Sequence, residues 1–137
     1  GGIVSQDLFT ERQLKFVGGP RIGRLGTTNR DGTPHIAPVW YRFDDGAFLV
    51  LTERGSRKHR NIERDPRVAF CIDDEHPPYH TVLVNGRVTV EDAPGREWRE
   101  ALAIHYLGDA AGKRYIAENM HPNNIMLRIV PEKVSGW

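Results

Sequence analysis

Four cations, Arg54, Arg57, Lys58 and Arg60, crowd into and beside the run Gly55-Ser56-Arg57-Lys58-His59-Arg60-Asn61-Ile62-Glu63-Arg64-Asp65-Pro66. The run opens on a turn glycine and a serine suited to capping a helix. It closes at Asp65-Pro66, where the residue before a proline turns extended. This spacing predicts a helix of about two to three turns. Cations in the first turn sit at the wrong end, because the free N–H groups and the macrodipole already make that end positive. An anion held by those N–H groups, the Ser56 hydroxyl and the basic side chains makes physical sense of the arrangement. A solvated charged helix partnered by Glu53 and Glu63 is the plainer reading of a basic run taken alone.

Other reactive residue types offer little. His76 and His80 are four apart, but Pro77 and Pro78 exclude a helical metal-ligand frame, so they read as solvated loop histidines. His35 shares a strand face with Ala37 and Val39 and reads as a satisfied core or interface histidine. Cys71, the one cysteine, lies in an apolar strand and reads as a small buried hydrophobe. Asp73, Asp74 and Glu75 are adjacent and form no facing acid–base pair. Ser56 has no evident His/Asp partners, so a cap or anion ligand is preferred to a nucleophile. No metal site and no catalytic side chain emerge.

The elements that must position the basic turn are mostly strands. The 137 residues suit one domain over 1–137, with 39% hydrophobic and 27% charged residues. The formal net charge of +1 argues against nucleic acid or anionic lipid as a partner of the whole surface. A single cysteine and the lack of an apolar run of membrane-span length suggest a reducing, cytoplasmic setting. A short amphipathic helix is expected over about 5–17, ended by Gly18-Gly19-Pro20. Strands follow over 21–28, 33–43 and 47–52, joined by Asn29-Arg30-Asp31-Gly32 and Asp44-Asp45-Gly46. Pro34 and Pro38 place the second of these at an edge or bulge. After the basic helix come strands over 68–73 and 81–91. Val82, Val84, Val88 and Val90 share one face of the latter, and Gly86 on that face signals a bend or a close backbone approach. Helices are expected over 96–107, with Trp98, Ala101, Leu102, His105 and Tyr106 on one side, and over 110–120. A last strand runs over 125–130 and continues less regularly to Trp137. Many short strands with turn signals argue for a barrel carrying a helical insertion over about 95–120.

Three linked motifs carry a resemblance: Asp31-Gly32-Thr33-Pro34-His35-Ile36-Ala37-Pro38-Val39-Trp40, Gly55-Ser56-Arg57-Lys58-His59-Arg60-Asn61-Ile62, and Asp65-Pro66-Arg67-Val68. Together they resemble the pyridoxamine-phosphate-oxidase-like split β-barrel superfamily, within it the branch that uses the deazaflavin coenzyme F-420. The similarity runs from about Phe9 to Val134. It implies a mainly β fold with inserted helices, a six- to seven-stranded split barrel, and a homodimer with two flavin-type sites at the subunit interface. It also implies that Ser56, Lys58 and Asn61 hold a cofactor phosphate, and that Pro38, Val39 and Trp40 border the ring beside Leu51 and Thr52. The Pro77-Pro78-Tyr79 loop resembles a segment that approaches the site, which adds Pro78 and Tyr79. Arg57 departs from the small residue many relatives carry, and either meets a polyanionic cofactor tail or is solvated.

The resemblance leads to an F-420-dependent oxidoreductase passing hydride to a conjugated small molecule, biliverdin-like or quinone-like. The alternatives are an FMN-dependent oxidoreductase, or a flavin- or haem-binding protein with little turnover. The missing protein nucleophile agrees with chemistry carried by a cofactor. Arg54, Arg57 and Arg60 favour coenzyme F-420, whose tail is anionic, over FMN, which ends at its phosphate.

Overall fold

A computed structural model describes residues 5–137. Its strands are β1 (Gly23–Thr28), β2 (Pro34–Val39), β3 (Arg42–Asp44), β4 (Ala47–Glu53), β5 (Arg67–Asp73), β6 (Thr81–Asp92) and β7 (Asn124–Gly136). Its helices are α1 (Glu11–Val17), α2 (Arg57–Arg64), α3 (Arg96–Leu107) and α4 (Asp109–Glu118). All pairings are antiparallel, and the strand order is β2-β1-β5-β6-β7-β4-β3. The expected strand over 33–43 is thus two strands at opposite edges of the sheet. Trp40 and Tyr41 alone join them, and the Cα atoms of Val39 and Arg42 stand at most about 11 Å apart. A flat seven-stranded sheet spaced about 4.8 Å per strand separates its edges far more than that. The sheet therefore curls into a split barrel.

Alternation fills the interior. Val68, Phe70 and Ile72 of β5 and Val82, Val84 and Val88 of β6 are buried, as is nearly all of β4. Tyr41, Phe48 and Phe70 meet at ring separations of 5.0–5.5 Å at the centre. Each large side chain so buried contributes about 1.5–3 kcal/mol. The Tyr41 hydroxyl donates to the Val17 carbonyl at 2.7 Å, which ties α1 to the barrel, and burial pushes its ionisation well up.

The chain departs from expectation in four further places. A helix over 5–17 is interrupted: Ser5–Leu8 form a 3-10 turn, and α1 starts after Thr10. Thr10 and Gln13 make a reciprocal capping box, a signal present in the sequence. The final strand is continuous to Gly136, and the Gln13 amide donates to the Trp137 carbonyl at 2.8 Å. His80 is not solvated, because its ring stacks on Trp137 at 3.6 Å. Cys71 is half-buried on the outer sheet face, where burial first and Asp73 second push its thiol up.

The turns and the bend behave as their residues require. Asp45 and Gly46 both take positive φ (49° and 81°), which matches the twist of the β3–β4 hairpin. Gly86 marks the register shift between β6 and β7, and a Cβ there would overlap the Val130 carbonyl oxygen. Gly86→Ala is expected to lower unfolding stability by about 1–3 kcal/mol. Urea unfolding measures this, and an unchanged midpoint would show that the strands bend without need of a glycine.

Candidate functional site

A cavity of about 360 Å³ opens where β2 ends, within the roughly 300–1,000 Å³ range of small-molecule sites. Pro38, Val39, Trp40, Leu51 and Thr52 form one wall, and α3 and α4 form the other through Leu102, Ala103, Tyr115 and Ile116. Trp40 stacks flat on Tyr106 (4.8 Å, 3° between planes) and touches Tyr115 at 5.2 Å. The Tyr106 hydroxyl accepts the Tyr41 N–H at 2.9 Å and lies 2.7 Å from the Arg21 carbonyl, to which it donates. Burial pushes its ionisation up to about 12. Tyr106 therefore fastens the helical pair to the two-residue link that closes the barrel. The helices themselves pack closely at Gly112, where a Cβ would meet the Ile104 backbone.

The cavity's electrostatics come from two elements. Ser56 caps α2, accepting the His59 N–H at 3.3 Å, and its hydroxyl lies 2.9 Å from that of Thr52. Lys58 lines the cavity beside them. His59 is buried and holds the turn: Nδ1 accepts the Gly55 N–H at 2.9 Å and Nε2 meets Glu63 at 2.8 Å. From α3, the buried Arg99 also lines the cavity, donating to the carbonyls of Pro94 (3.1 Å) and His121 (3.2 Å). Glu53 is the carboxylate of the lining, so the formal charge there is positive. One ammonium, two hydroxyls and a helix N-terminus form a donor set that suits a phosphate.

Six of the residues singled out in the sequence line this one cavity: Pro38, Val39, Trp40, Leu51, Thr52 and Lys58. Ser56 joins them through Thr52. Asn61 lies elsewhere, buried, with its amide donating to Thr27 Oγ1 and Asn29 Oδ1, both at 3.0 Å, and its carbonyl accepting from Arg64. It ties α2 to β1. Arg57 is exposed and reaches Asn29 at 3.4 Å on the other flank of α2. There it shares a cleft of about 190 Å³ with Arg30, Arg60, Asn61 and Arg64. Pro78 and Tyr79 are exposed in the β5–β6 loop and line none of these spaces, and Tyr79 takes φ 57°. His35 is not satisfied as expected, since its buried Nδ1 has no hydrogen-bond partner.

Sequence reasoning passed over Arg99, Tyr106 as an anchor, and Tyr115. The buried side of α3 is Arg99, Leu102 and Ala103, while Ala101 is exposed. An arginine three and four residues before apolar ones was the available signal.

The family model described as pyridoxamine 5'-phosphate oxidase matches residues 9–137. The chain is 31% identical over 137 residues to a 5a,11a-dehydrotetracycline/5a,11a-dehydrooxytetracycline reductase of Streptomyces rimosus, covering 94% of this chain and 82% of that protein. Among solved structures, a conserved hypothetical protein of Mycobacterium tuberculosis superposes with a TM-score of 0.77 and 28% identity, covering 94% and 84% of the two chains. An F-420 reductase superposes at 0.76 with 23% identity, covering 93% and 98%, and carries the fold alone.

The bonds of Asn61 predict a structural effect. Asn61→Ala is expected to cost about 1–3 kcal/mol in urea unfolding without any ligand, because it strands buried polar partners. Unchanged stability would return Asn61 to the role of ligand contact.

Proposed function

The chain belongs to the pyridoxamine 5'-phosphate oxidase family, and we propose that it is an oxidoreductase using coenzyme F-420 to reduce a conjugated small molecule. The observation that carries this is the meeting of Lys58, Thr52 and the Ser56-capped helix with the flat Pro38–Trp40 wall in one cavity. Such a cofactor, when bound, supplies hydride transfer. Lys58, the hydroxyls of Thr52 and Ser56, and the N–H groups that open α2 would hold its phosphate. Pro38, Val39 and Trp40 would lie against its ring, and α3 and α4 would exclude water. Tyr106 is not the proton donor, because its hydroxyl is committed to backbone groups.

The choice of coenzyme F-420 over FMN rests on the cleft of Arg30, Arg57, Arg60 and Arg64 on the neighbouring flank of α2. A longer anionic tail can use these cations and a terminal phosphate cannot. FMN is the second reading, since the phosphate donors suit either.

A homodimer belongs to the proposal. On the outer sheet face Ile36 (70% exposed), Gly26 and Ala69 lie in one cross-strand row and Leu83 (45%) and Cys71 in the next, giving a mostly apolar surface, edged by Arg24 and Asn85, for a second copy. The exposed Pro78 and Tyr79 would then serve the partner's site.

Titration of the purified protein with coenzyme F-420 and with FMN, at low and moderate salt, tests the cofactor. Tighter, salt-weakened binding of coenzyme F-420 is expected. Lys58→Ala should weaken both by about tenfold or more, and Arg57→Ala/Arg60→Ala should weaken coenzyme F-420 selectively. Preference for FMN moves the protein to the second reading, and binding of neither removes the proposal. In sedimentation, the chain should run at about twice its 15.6 kDa mass, and Ile36→Asp should run as a monomer.

A further inference from the structure

Arg99 is the one Arg, Lys, Asp or Glu that is buried among the described residues, at 6% exposure. An ionised group so placed costs several kcal/mol unless it is paired. Its partners within the protein are two neutral carbonyls, those of Pro94 and His121. The ion pairs among the described residues are made by other cations. A guanidinium has five N–H donors, and the two carbonyls take one on Nε and one on Nη1. Three N–H groups remain. Nη2 makes no hydrogen bond among the described residues. The open space bordering this side chain is the cavity.

From this we infer that Arg99 binds an anionic oxygen, a carboxylate or an enolate, of the molecule reduced in the cavity. The substrate class is therefore an anionic conjugated acceptor. The assignment of that molecule as acceptor rests on the proposed function; the anion site itself rests on Arg99. Lys58 belongs to α2 with the phosphate donors while Arg99 belongs to α3, and Glu53 is exposed and makes no ion pair with Arg99 within 4.0 Å. The planar fork of an arginine matches two oxygens of one anion, which an ammonium does not. The carbonyl bonds also brace the loops before α3 and after α4. Bracing needs N–H donors and no charge, so a neutral amide separates the two roles.

The test uses 2-naphthoate and its uncharged counterpart 2-naphthamide, titrated by calorimetry. Wild-type protein should prefer the carboxylate by about tenfold or more. Arg99→Gln should bring the two within about twofold, largely by weakening 2-naphthoate, and Arg99→Lys should keep part of the preference. Lys58→Ala should weaken cofactor binding and keep the preference. Equal binding or no binding by the wild type overturns the inference, as does a preference that survives Arg99→Gln or vanishes in Lys58→Ala. Should Arg99→Gln not fold, the wild-type preference and Arg99→Lys decide. If the preference holds while neither cofactor binds, the anion site stands and the oxidoreductase reading falls.

Discussion

Trp40 and Tyr41 join the two edges of a seven-stranded sheet, and most of the molecule follows from that short link. Strands β2 and β3 are successive in the chain and furthest apart in strand order. The sheet must curl until its edges approach, and the curl encloses Tyr41, Phe48 and Phe70. The link itself is not part of a ladder, so its backbone groups need other partners. Tyr106 supplies one, accepting the Tyr41 N–H and donating to the neighbouring Arg21 carbonyl. That exchange docks α3, and α4 with it, beside the gap between the edges. The cavity is the space left under the docked pair.

Helix α2 divides the positive charge of the basic turn into two places. Lys58 faces the cavity, while Arg57, Arg60 and Arg64, at three- and four-residue spacings, share the outer flank with Arg30. The capped N-terminus and the His59 bonds hold the turn in one shape before any ligand arrives. Such preorganisation reduces the ordering cost of binding an anion. In the same lining, Arg99 of α3 adds a cation with little access to water, where charge interactions are stronger than at the surface. The two cations stand on separate elements, one beside the phosphate donors and one in the helical wall.

Much of this was legible from residue order. Local signals located β1, β4, β5, β6, α2 and α3, because hairpin turns, caps and period-two burial are contacts between near neighbours. The gathering of Pro38, Val39, Trp40, Leu51, Thr52 and Lys58 followed from resemblance, and the structure brings those six to one cavity. The partition of 33–43 into two strands was not legible. Its alternation is continuous, and the break comes from which distant strands each half pairs with. The partners of Asn61 were not legible for a similar reason. Its amide is taken by Thr27 and Asn29, more than thirty residues away.

By itself, then, the sequence determined the element types, the anion-suited turn at Ser56 and Lys58, and the bend at Gly86. Each of these depends on backbone preference or on side chains a few residues apart. Only the tertiary structure decided that Trp40–Tyr41 closes the barrel, that Arg57 and Lys58 serve different clefts, and that Arg99 lies buried at a ligand-sized space. Those facts depend on contacts between residues far apart in the chain, which no local pattern of charge or hydrophobicity encodes.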